Sequence, residues 1–182
     1  MVKKIVFVLL MVVVFLWSIR IIKINQNPHS AIPCYAMNEE INLNRISVKA
    51  VAAEYTSGKE YVKKYDVEKD ELYEEIEKGK VVSVCIEVKN QSDSSIEWDE
   101  IGDLTVYGFL TRTWSSQNMV QLVKKRNHFS EKKLLPGKTQ DIWFATVVSS
   151  VSFKKTTWKK LNVSDFYYAL PTENESIRIR LE

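Results

Sequence analysis

Apolar residues fill every second position in several segments of this chain, and this alternation limits the fold more than any other feature of the sequence. The clearest case is Lys80–Lys89, where polar or small residues separate Val82, Val84, Ile86 and Val88. Because successive side chains of a β-strand point to opposite faces, this spacing predicts a strand with one apolar and one polar face. We therefore predict a strand here, with the valine and isoleucine side chains facing a core.

Similar patterns recur along the chain and predict six or seven strands. In the first of them, Ile46, Val48, Ala50 and Ala52 are expected to share one face. Side chains that bond their own backbone predict a turn at Asn90–Ser95. Short strands separated by turns are typical of β-sandwiches, so we predict a mainly β fold of about seven strands with solvated outer faces. The other predicted strands are Leu104–Thr113, Thr139–Val148, Phe166–Leu170 and Glu175–Glu182.

Two segments break the alternation and predict short helices. Asp66–Gly79 has an apolar stripe at helical spacing, with an aspartate suited to cap its start and a glycine suited to end it. Its many carboxylates are expected on a solvated face. Gln117–Arg126 predicts a second helix. The side chains expected to pack inwards are Val67, Leu72, Tyr73 and Ile76 in the first helix, and Met119, Val120, Leu122 and Val123 in the second.

A 15-residue apolar run, Ile5–Ile19, precedes these segments. With the isoleucines that follow, it approaches the ~20 residues that a transmembrane helix needs. Lysines precede it, as in an export signal, but no small-residue cleavage site follows it. We predict an uncleaved signal anchor over residues 1–24, with a cleaved signal peptide as the alternative. Residues 25–44 contain two of the four prolines and are predicted to form an extended tether to a sandwich domain at residues 45–182.

The formal net charge of +3 comes from the N-terminal segment. The chain has 26 Lys and Arg against 23 Asp and Glu, and its first 25 residues contain four basic residues and no acidic one. The remainder therefore has 22 basic and 23 acidic residues, a net charge of −1. Because nucleic-acid binding depends on a basic surface that neutralises phosphates, a nucleic-acid partner is not expected.

Two motifs carry a resemblance: Val82-x-Val84-x-Ile86-x-Val88-x-Asn90-x-Ser92-Asp93 and Leu135-Pro136-Gly137-Lys138. With the closing alternating strand, they resemble the exported immunoglobulin-like (telokin-like) domains of Gram-positive bacteria, many of which are domains of unknown function. The segments Trp114–Gly137 and Trp158–Pro171 are similar to one such membrane-anchored family. The resemblance implies an immunoglobulin-like β-sandwich on a single-pass anchor in the cell membrane, with the body extracytoplasmic and facing the cell wall. It brings no catalytic residue, and the insertion Lys59–Gly79 is not part of it.

Catalysis is not predicted. His128 is the one histidine of the predicted sandwich domain, and it follows three cations, Lys124–Arg126. No Gly-x-Ser-x-Gly motif is present to expose a nucleophilic serine. Two Cys and two His are too few for a typical multi-ligand zinc site, so neither a metal nor a cofactor is predicted.

The two cysteines leave two alternatives open. In an oxidising exterior, Cys34 and Cys85 form a disulfide, or both remain reduced. Cys85 lies on the polar face of its predicted strand, where a tether that folds back would reach it.

A lysine-rich segment near the C-terminus is the candidate ligand surface. Its lysines flank a tryptophan and would attract anionic wall polymers or lipid headgroups, while the aromatic ring suits stacking on a sugar. We therefore expect a membrane-tethered, extracytoplasmic, non-enzymatic module that binds a protein or a cell-envelope component. The alternative is binding of a cell-wall polysaccharide or teichoic acid. The residues concerned are Lys154, Lys155, Trp158, Lys159 and Lys160.

Overall fold

Two large β-sheets and a small two-stranded sheet form the body of the protein, which extends from Pro33 to Glu182. The structure is a computed structural model, and it describes residues 32–69, 72–101, 108–127, 133–171 and 176–182, together with Trp17. The predicted signal anchor at residues 1–24 lies outside the described residues, apart from that tryptophan. Within the described ranges, no helix has the length and apolar character needed to cross a membrane.

Most strands belong to a five-stranded or a four-stranded sheet. The five-stranded sheet contains, in spatial order, β1 (Cys34–Tyr35), β11 (Ser176–Arg180), β10 (Tyr167–Pro171), β6 (Gly108–Leu110) and β7 (Ser115–Gln117). The four-stranded sheet contains β2 (Ile41–Leu43), β3 (Ile46–Ser57), β4 (Lys80–Asn90) and β9 (Thr139–Val148). The strands β5 (Ile96–Glu97) and β8 (Lys133–Leu134) form a third, two-stranded sheet. The described helices are α1 (Gly58–Tyr65), α2 (Tyr73–Lys78), α3 (Trp98–Ile101), α4 (Val120–Val123) and α5 (Lys155–Trp158).

The main core lies between the two large sheets. The alternating residues of β4, which are Val82, Val84, Ile86 and Val88, are all fully buried in it. The five-stranded sheet contributes Phe109, Tyr168, Leu170, Ile177 and Ile179 to the same core. The predicted mainly β fold and β-sandwich are therefore confirmed, because each sheet buries one apolar face against the other.

A β-bulge in β3 changes which residues face the core. The pairing of β3 with β4 shifts register between Ala50 and Ala52. Beyond the shift, Ala53 and Tyr55 pack against the core, whereas Ala52 is paired beside Cys85 on the opposite face. The prediction that Ala52 shares a face with Ala50 is wrong, because one extra residue in a strand reverses the alternation after it.

Helices cover part of the outer face of the four-stranded sheet, so the prediction of solvated outer faces is wrong there. A second apolar cluster lies between this face and the helices α1, α2 and α4. Its buried members are Tyr61, Val62, Val67, Ile76, Val81, Leu122, Val123, Ala145 and Val147. Val120, which was predicted to pack inwards, is instead 70% exposed, since α4 is only a single turn long.

The segment Asp66–Gly79 was predicted as one helix. In the structure it contains the residue that caps the end of α1 and the whole of α2. Ser57 caps the start of α1, and its hydroxyl accepts a hydrogen bond from the backbone N–H of Glu60. Asp66 ends this helix in the left-handed conformation, at φ 47°. Asp66 therefore stops a helix and does not start one, because a left-handed residue breaks the right-handed helical path.

The C-terminal part of the predicted tether, from Pro33 to residue 44, belongs to the sandwich, and residues 25–31 lie outside the described residues. Cys34 and Tyr35 pair in parallel with β11, and Ile41–Leu43 pair with the start of β3. The body therefore begins at Pro33, not at Arg45. Strands of two or three residues are too short to show an alternating pattern, which is why the sequence did not predict them.

Candidate functional site

Four exposed lysines lie in and beside α5, in the chain segment that connects β9 to β10. We call Lys154, Lys155, Lys159 and Lys160 the lysine surface. No acidic residue occurs between Asp141 and Asp165, so the segment carries four positive charges and no negative one. In the part of the chain that the structure describes, none of the four lysines has an ion-pair partner.

Buried residues on either side fasten this segment to the sandwich. Leu161 is 9% exposed, and Phe166 is fully buried in the main core. Between them, the Asn162 side chain accepts a hydrogen bond from the Ser164 N–H at 2.9 Å, and the Asp165 carboxylate accepts one from the Asn162 N–H at 2.9 Å. These reciprocal bonds cap a short 3₁₀ helix and hold the loop in one path. The apolar side chains therefore point inwards while the lysines remain in solvent.

Trp158 lies in a packed aromatic cluster and not on an open platform. Its side chain is half-buried against the main core, and its ring centroid lies 6.3 Å from that of Phe153. Trp114 contacts both Phe153 and Phe166, each at 5.9 Å between centroids. Trp98, Trp114 and Trp143 are also half-buried, so the structure favours a packing role for these rings over sugar stacking.

A fifth lysine at this site was not predicted from the sequence. The Nζ atom of Lys80, the first residue of β4, lies 4.9 Å from the ring centroid of Trp158 and 5.0 Å from that of Tyr55. Both distances are those of a cation–π contact. Residues 55, 80 and 158 are far apart in the sequence and meet only through the pairing of β3 with β4 and the return of the chain after β9. No local pattern signals this contact.

The hydroxyl of Tyr55 is buried and has no hydrogen-bond partner among the described residues. Burial raises the pKa of Tyr55 to about 12, and the negative charge of Asp165 acts in the same direction. A buried hydroxyl without a partner destabilises the folded state.

The chemistry of the lysine surface is that of anion binding. Ammonium groups attract phosphate and carboxylate oxygens, and their charges add at one end of the sandwich. Over the described ranges, no group of three or more His, Cys, Asp or Glu side chains is placed to hold a metal ion. His128, the residue on which a catalytic interpretation would depend, lies outside the described residues.

Both cysteines are free thiols in this structure. Cys34 is exposed on β1, at the edge of the five-stranded sheet, whereas Cys85 is 2% exposed in β4 of the other sheet. The structure therefore contains no disulfide between them: Val84 and Ile86 face the main core, so Cys85 between them points away from the sheet that holds Cys34. The pKa of the Cys85 thiol is raised to about 12, mainly by burial and also by the charges of Asp141 and Glu87, while Arg126 acts in the opposite direction.

A second, polar concavity of about 380 Å³ lies on the uncovered part of the four-stranded sheet. Across it, Lys49 and Glu87 form an ion pair of 2.7 Å. The hydrogen bond to Glu87 and its charge raise the pKa of Lys49. Because this pair satisfies its own charges, the concavity is a weaker candidate than the lysine surface. Its lining residues are Glu40, Ser47, Lys49, Glu87, Lys89, Gly137 and Thr139.

One protein-family model matches nearly all of the body described above. A family model described as "Domain of unknown function (DUF5028)" matches residues 32–173. The chain belongs to the DUF5028 family. The DUF5028 match begins next to Pro33, where the structure also begins the sandwich, and includes the lysine surface. No curated protein matches the chain.

Three solved structures are similar to this DUF5028 chain. A conserved hypothetical protein from Bacillus anthracis aligns over 80% of this chain and 95% of its own, at 14% identity and a TM-score of 0.48. The yjhA protein from Bacillus subtilis aligns over 81% and 99%, at 9% identity and a TM-score of 0.48. An uncharacterized β-sandwich protein from Clostridium difficile 630 aligns over 86% and 99%, at 9% identity and a TM-score of 0.49.

Proposed function

We propose that this DUF5028 protein is a membrane-tethered, extracytoplasmic module that acts by binding a cell-envelope component and not by catalysis. The apolar run Ile5–Ile19 with its flanking cations supports the tether. An immunoglobulin-like arrangement of the sandwich is part of the proposal, and two mainly antiparallel sheets packed face to face support it.

The observation that carries the proposal is the lysine surface, with four exposed ammonium groups and no carboxylate partner among the described residues. Such a surface fits a polyanion. In the cell wall, the matching chemistry is a phosphate-rich polymer of the teichoic-acid type. Long-range attraction between such charges speeds encounter and weakens as salt is added.

The direction of the chain favours a wall polymer over a lipid headgroup. In the parallel pair of β1 and β11, Cys34 lies opposite Arg178, so Pro33 lies towards the start of β11. The loop that carries the lysine surface leads into Tyr167, which pairs with Arg180 at the other end of β11. The chain therefore enters the five-stranded sheet at the end away from the lysine surface.

Thiol labelling tests the topology. A membrane-impermeant maleimide added to intact protoplasts is expected to label Cys34, which is exposed, and to leave the buried Cys85 unlabelled. The control is Cys34→Ser, which should abolish labelling. Labelling that appears only after lysis would place the body inside the cell and refute the proposed topology.

Co-sedimentation with purified cell wall tests the ligand. The full-length protein in detergent micelles is expected to bind walls that contain teichoic acid and to bind extracted walls weakly. Replacing the four residues of the lysine surface with Gln should weaken binding by at least about tenfold. The matched control replaces Lys59, Lys63, Lys69 and Lys138, which are equally exposed, with Gln and should bind like the wild type. Equal loss in both variants would show that only net charge matters.

A further inference from the structure

Lys80 differs from the four residues of the lysine surface in the surroundings of its ammonium group. Its side chain is half-buried, and its ammonium lies between the rings of Tyr55 and Trp158 at 5.0 and 4.9 Å from their centroids. Within the residues that the structure describes, this ammonium has neither a carboxylate partner nor a hydrogen-bond acceptor. The contact with the rings offsets part of the charge but leaves the three N–H donors unused.

The two rings order the Lys80 side chain before any ligand arrives. Tyr55 is itself held by Phe166, with 5.3 Å between ring centroids, and Trp158 by Phe153, at 6.3 Å. The exposed lysines of α5 have no such support, so they lose more side-chain freedom when they bind a ligand. Lys80 is therefore the preorganised cation at this end of the sandwich.

We propose that Lys80, beside the lysine surface, is the residue that binds a phosphate in a fixed position, an inference that rests on the proposed function above. Its ammonium donates hydrogen bonds to a phosphodiester oxygen of the polyanion, while the four exposed lysines attract the polymer without fixing its position. Lysine binds phosphate as a point charge, which requires no particular orientation of the diester.

The salt dependence of binding distinguishes the role of Lys80 from that of the lysine surface. Exposed charges are screened at high ionic strength, whereas a half-buried ion pair is screened much less. The contribution of Lys80 should therefore persist at 500 mM salt, and the contribution of the lysine surface should largely disappear there.

The test uses full-length protein in detergent micelles and purified poly(glycerol phosphate) as the probe, at 50 and 500 mM salt. Lys80→Met is expected to weaken binding about tenfold at both salt concentrations. Lys80→Arg keeps the charge and the ring contact, and should bind within about twofold of the wild type. Tyr55→Phe keeps the ring and should also bind normally. The four-lysine Gln variant should be much weaker at 50 mM salt and close to the wild type at 500 mM salt.

The following outcomes would contradict the role of Lys80, the proposed function or the polymer assignment. If Lys80→Met and a surface control, Lys63→Met, bind equally at both salt concentrations, Lys80 has no such role, whether or not the four-lysine variant is impaired. If the wild type binds neither the polymer nor purified walls, the proposed function itself fails. If the wild type binds phosphatidylglycerol vesicles but not the polymer, the phosphate belongs to a lipid headgroup and the polymer assignment is refuted. Should Lys80→Met unfold, as circular dichroism would show, Lys80→Gln replaces it in the same comparison.

Discussion

The guanidinium carbon of Arg126 lies 3.3 Å from the ring centroid of Trp143. The ring centroid of Tyr65 is 3.8 Å from the same carbon, so the cation contacts two aromatic rings. The same guanidinium donates hydrogen bonds to the hydroxyls of Tyr61 and Ser83, each at 3.2 Å. The side chain is only 6% exposed. Arg126 therefore fastens α1 to the outer face of β4 and β9, above the main core.

Arg126→Ala should lower the free energy of unfolding by about 3–4 kcal/mol, because it removes the ring contacts and leaves two hydroxyls and the nearby Glu54 carboxylate without their cation. Urea unfolding followed by tryptophan fluorescence measures this loss. Lys124→Ala is the control, since Lys124 pairs with Glu68 in solvent and should contribute less than about 1 kcal/mol. Equal stability of the two variants would contradict a fastening role for Arg126.

Gly58→Ala should be strongly destabilising because of a contact between α1 and α2. A Cβ atom on Gly58 would lie 1.6 Å from the carbonyl oxygen of Ile76, so the two helices would have to move apart. The expected loss is about 2–3 kcal/mol, measured by chemical unfolding.

Gly137→Asn provides the matched control for a glycine substitution. Gly137 has φ +69°, in the turn predicted at Pro136-Gly137, and a Cβ there would have no heavy atom within 4 Å. Asparagine tolerates this backbone conformation, so the expected change is below about 1 kcal/mol. A larger loss at Gly137 than at Gly58 would contradict the steric argument.

Tyr55→Phe should stabilise the protein by about 1 kcal/mol, because it removes a buried hydroxyl that has no partner among the described residues. Tyr168→Phe is the counterpart. The hydroxyl of Tyr168 accepts a hydrogen bond of 3.0 Å from the Asn118 side chain, so its removal should destabilise the protein by a similar amount. Thermal unfolding of the two variants should give shifts of opposite sign, and a destabilised Tyr55→Phe would show that its hydroxyl is satisfied.

Stability should fall in alkali as Cys85 and Tyr55 ionise. Burial raises the pKa of each to about 12, from ordinary values of 9.0 and 10.0 respectively. The unfolded chain therefore loses these protons first, so their contribution is complete below about pH 9 and is lost as the pH rises towards 12. Urea midpoints at pH 7, 9 and 10.5 measure the effect. Cys85→Ala should reduce the fall between pH 9 and 10.5, and an unchanged fall would show that this thiol is not responsible.

Local sequence patterns were sufficient to predict the elements whose structure depends on residues within one segment. The strands β4 and β9 were predicted almost to the residue, and Trp143 and Phe144 lie on opposite faces, as strand alternation requires. The turn after β4 was predicted from its side chains, and the Ser92 N–H does donate to the Asn90 carbonyl oxygen Oδ1 at 2.9 Å. These features depend on neighbours within a few residues, which the sequence displays directly.

The candidate site shows the limit of such reasoning. The lysines around Trp158 could be selected from the sequence because they lie within seven residues of one another in the chain. The candidate ligand surface predicted from the sequence included this tryptophan, and the structure packs the ring against Phe153 and Lys80. Nothing near Lys80 in the sequence distinguishes it from other lysines, since its role depends on Tyr55 and Trp158 in distant segments.

The sequence by itself determined that this chain forms a mainly β body with short helical insertions. Its apolar residues recur at intervals of two residues in the strands and of 3.6 residues in the helices. Only the tertiary structure decided the bulge at Ala50–Ala52, the pairing of Cys34–Tyr35 with the last strand, and the meeting of Lys80 with two aromatic rings. Each of these is a contact between residues far apart in the chain. Its free energy depends on how whole sheets pack and not on any local pattern.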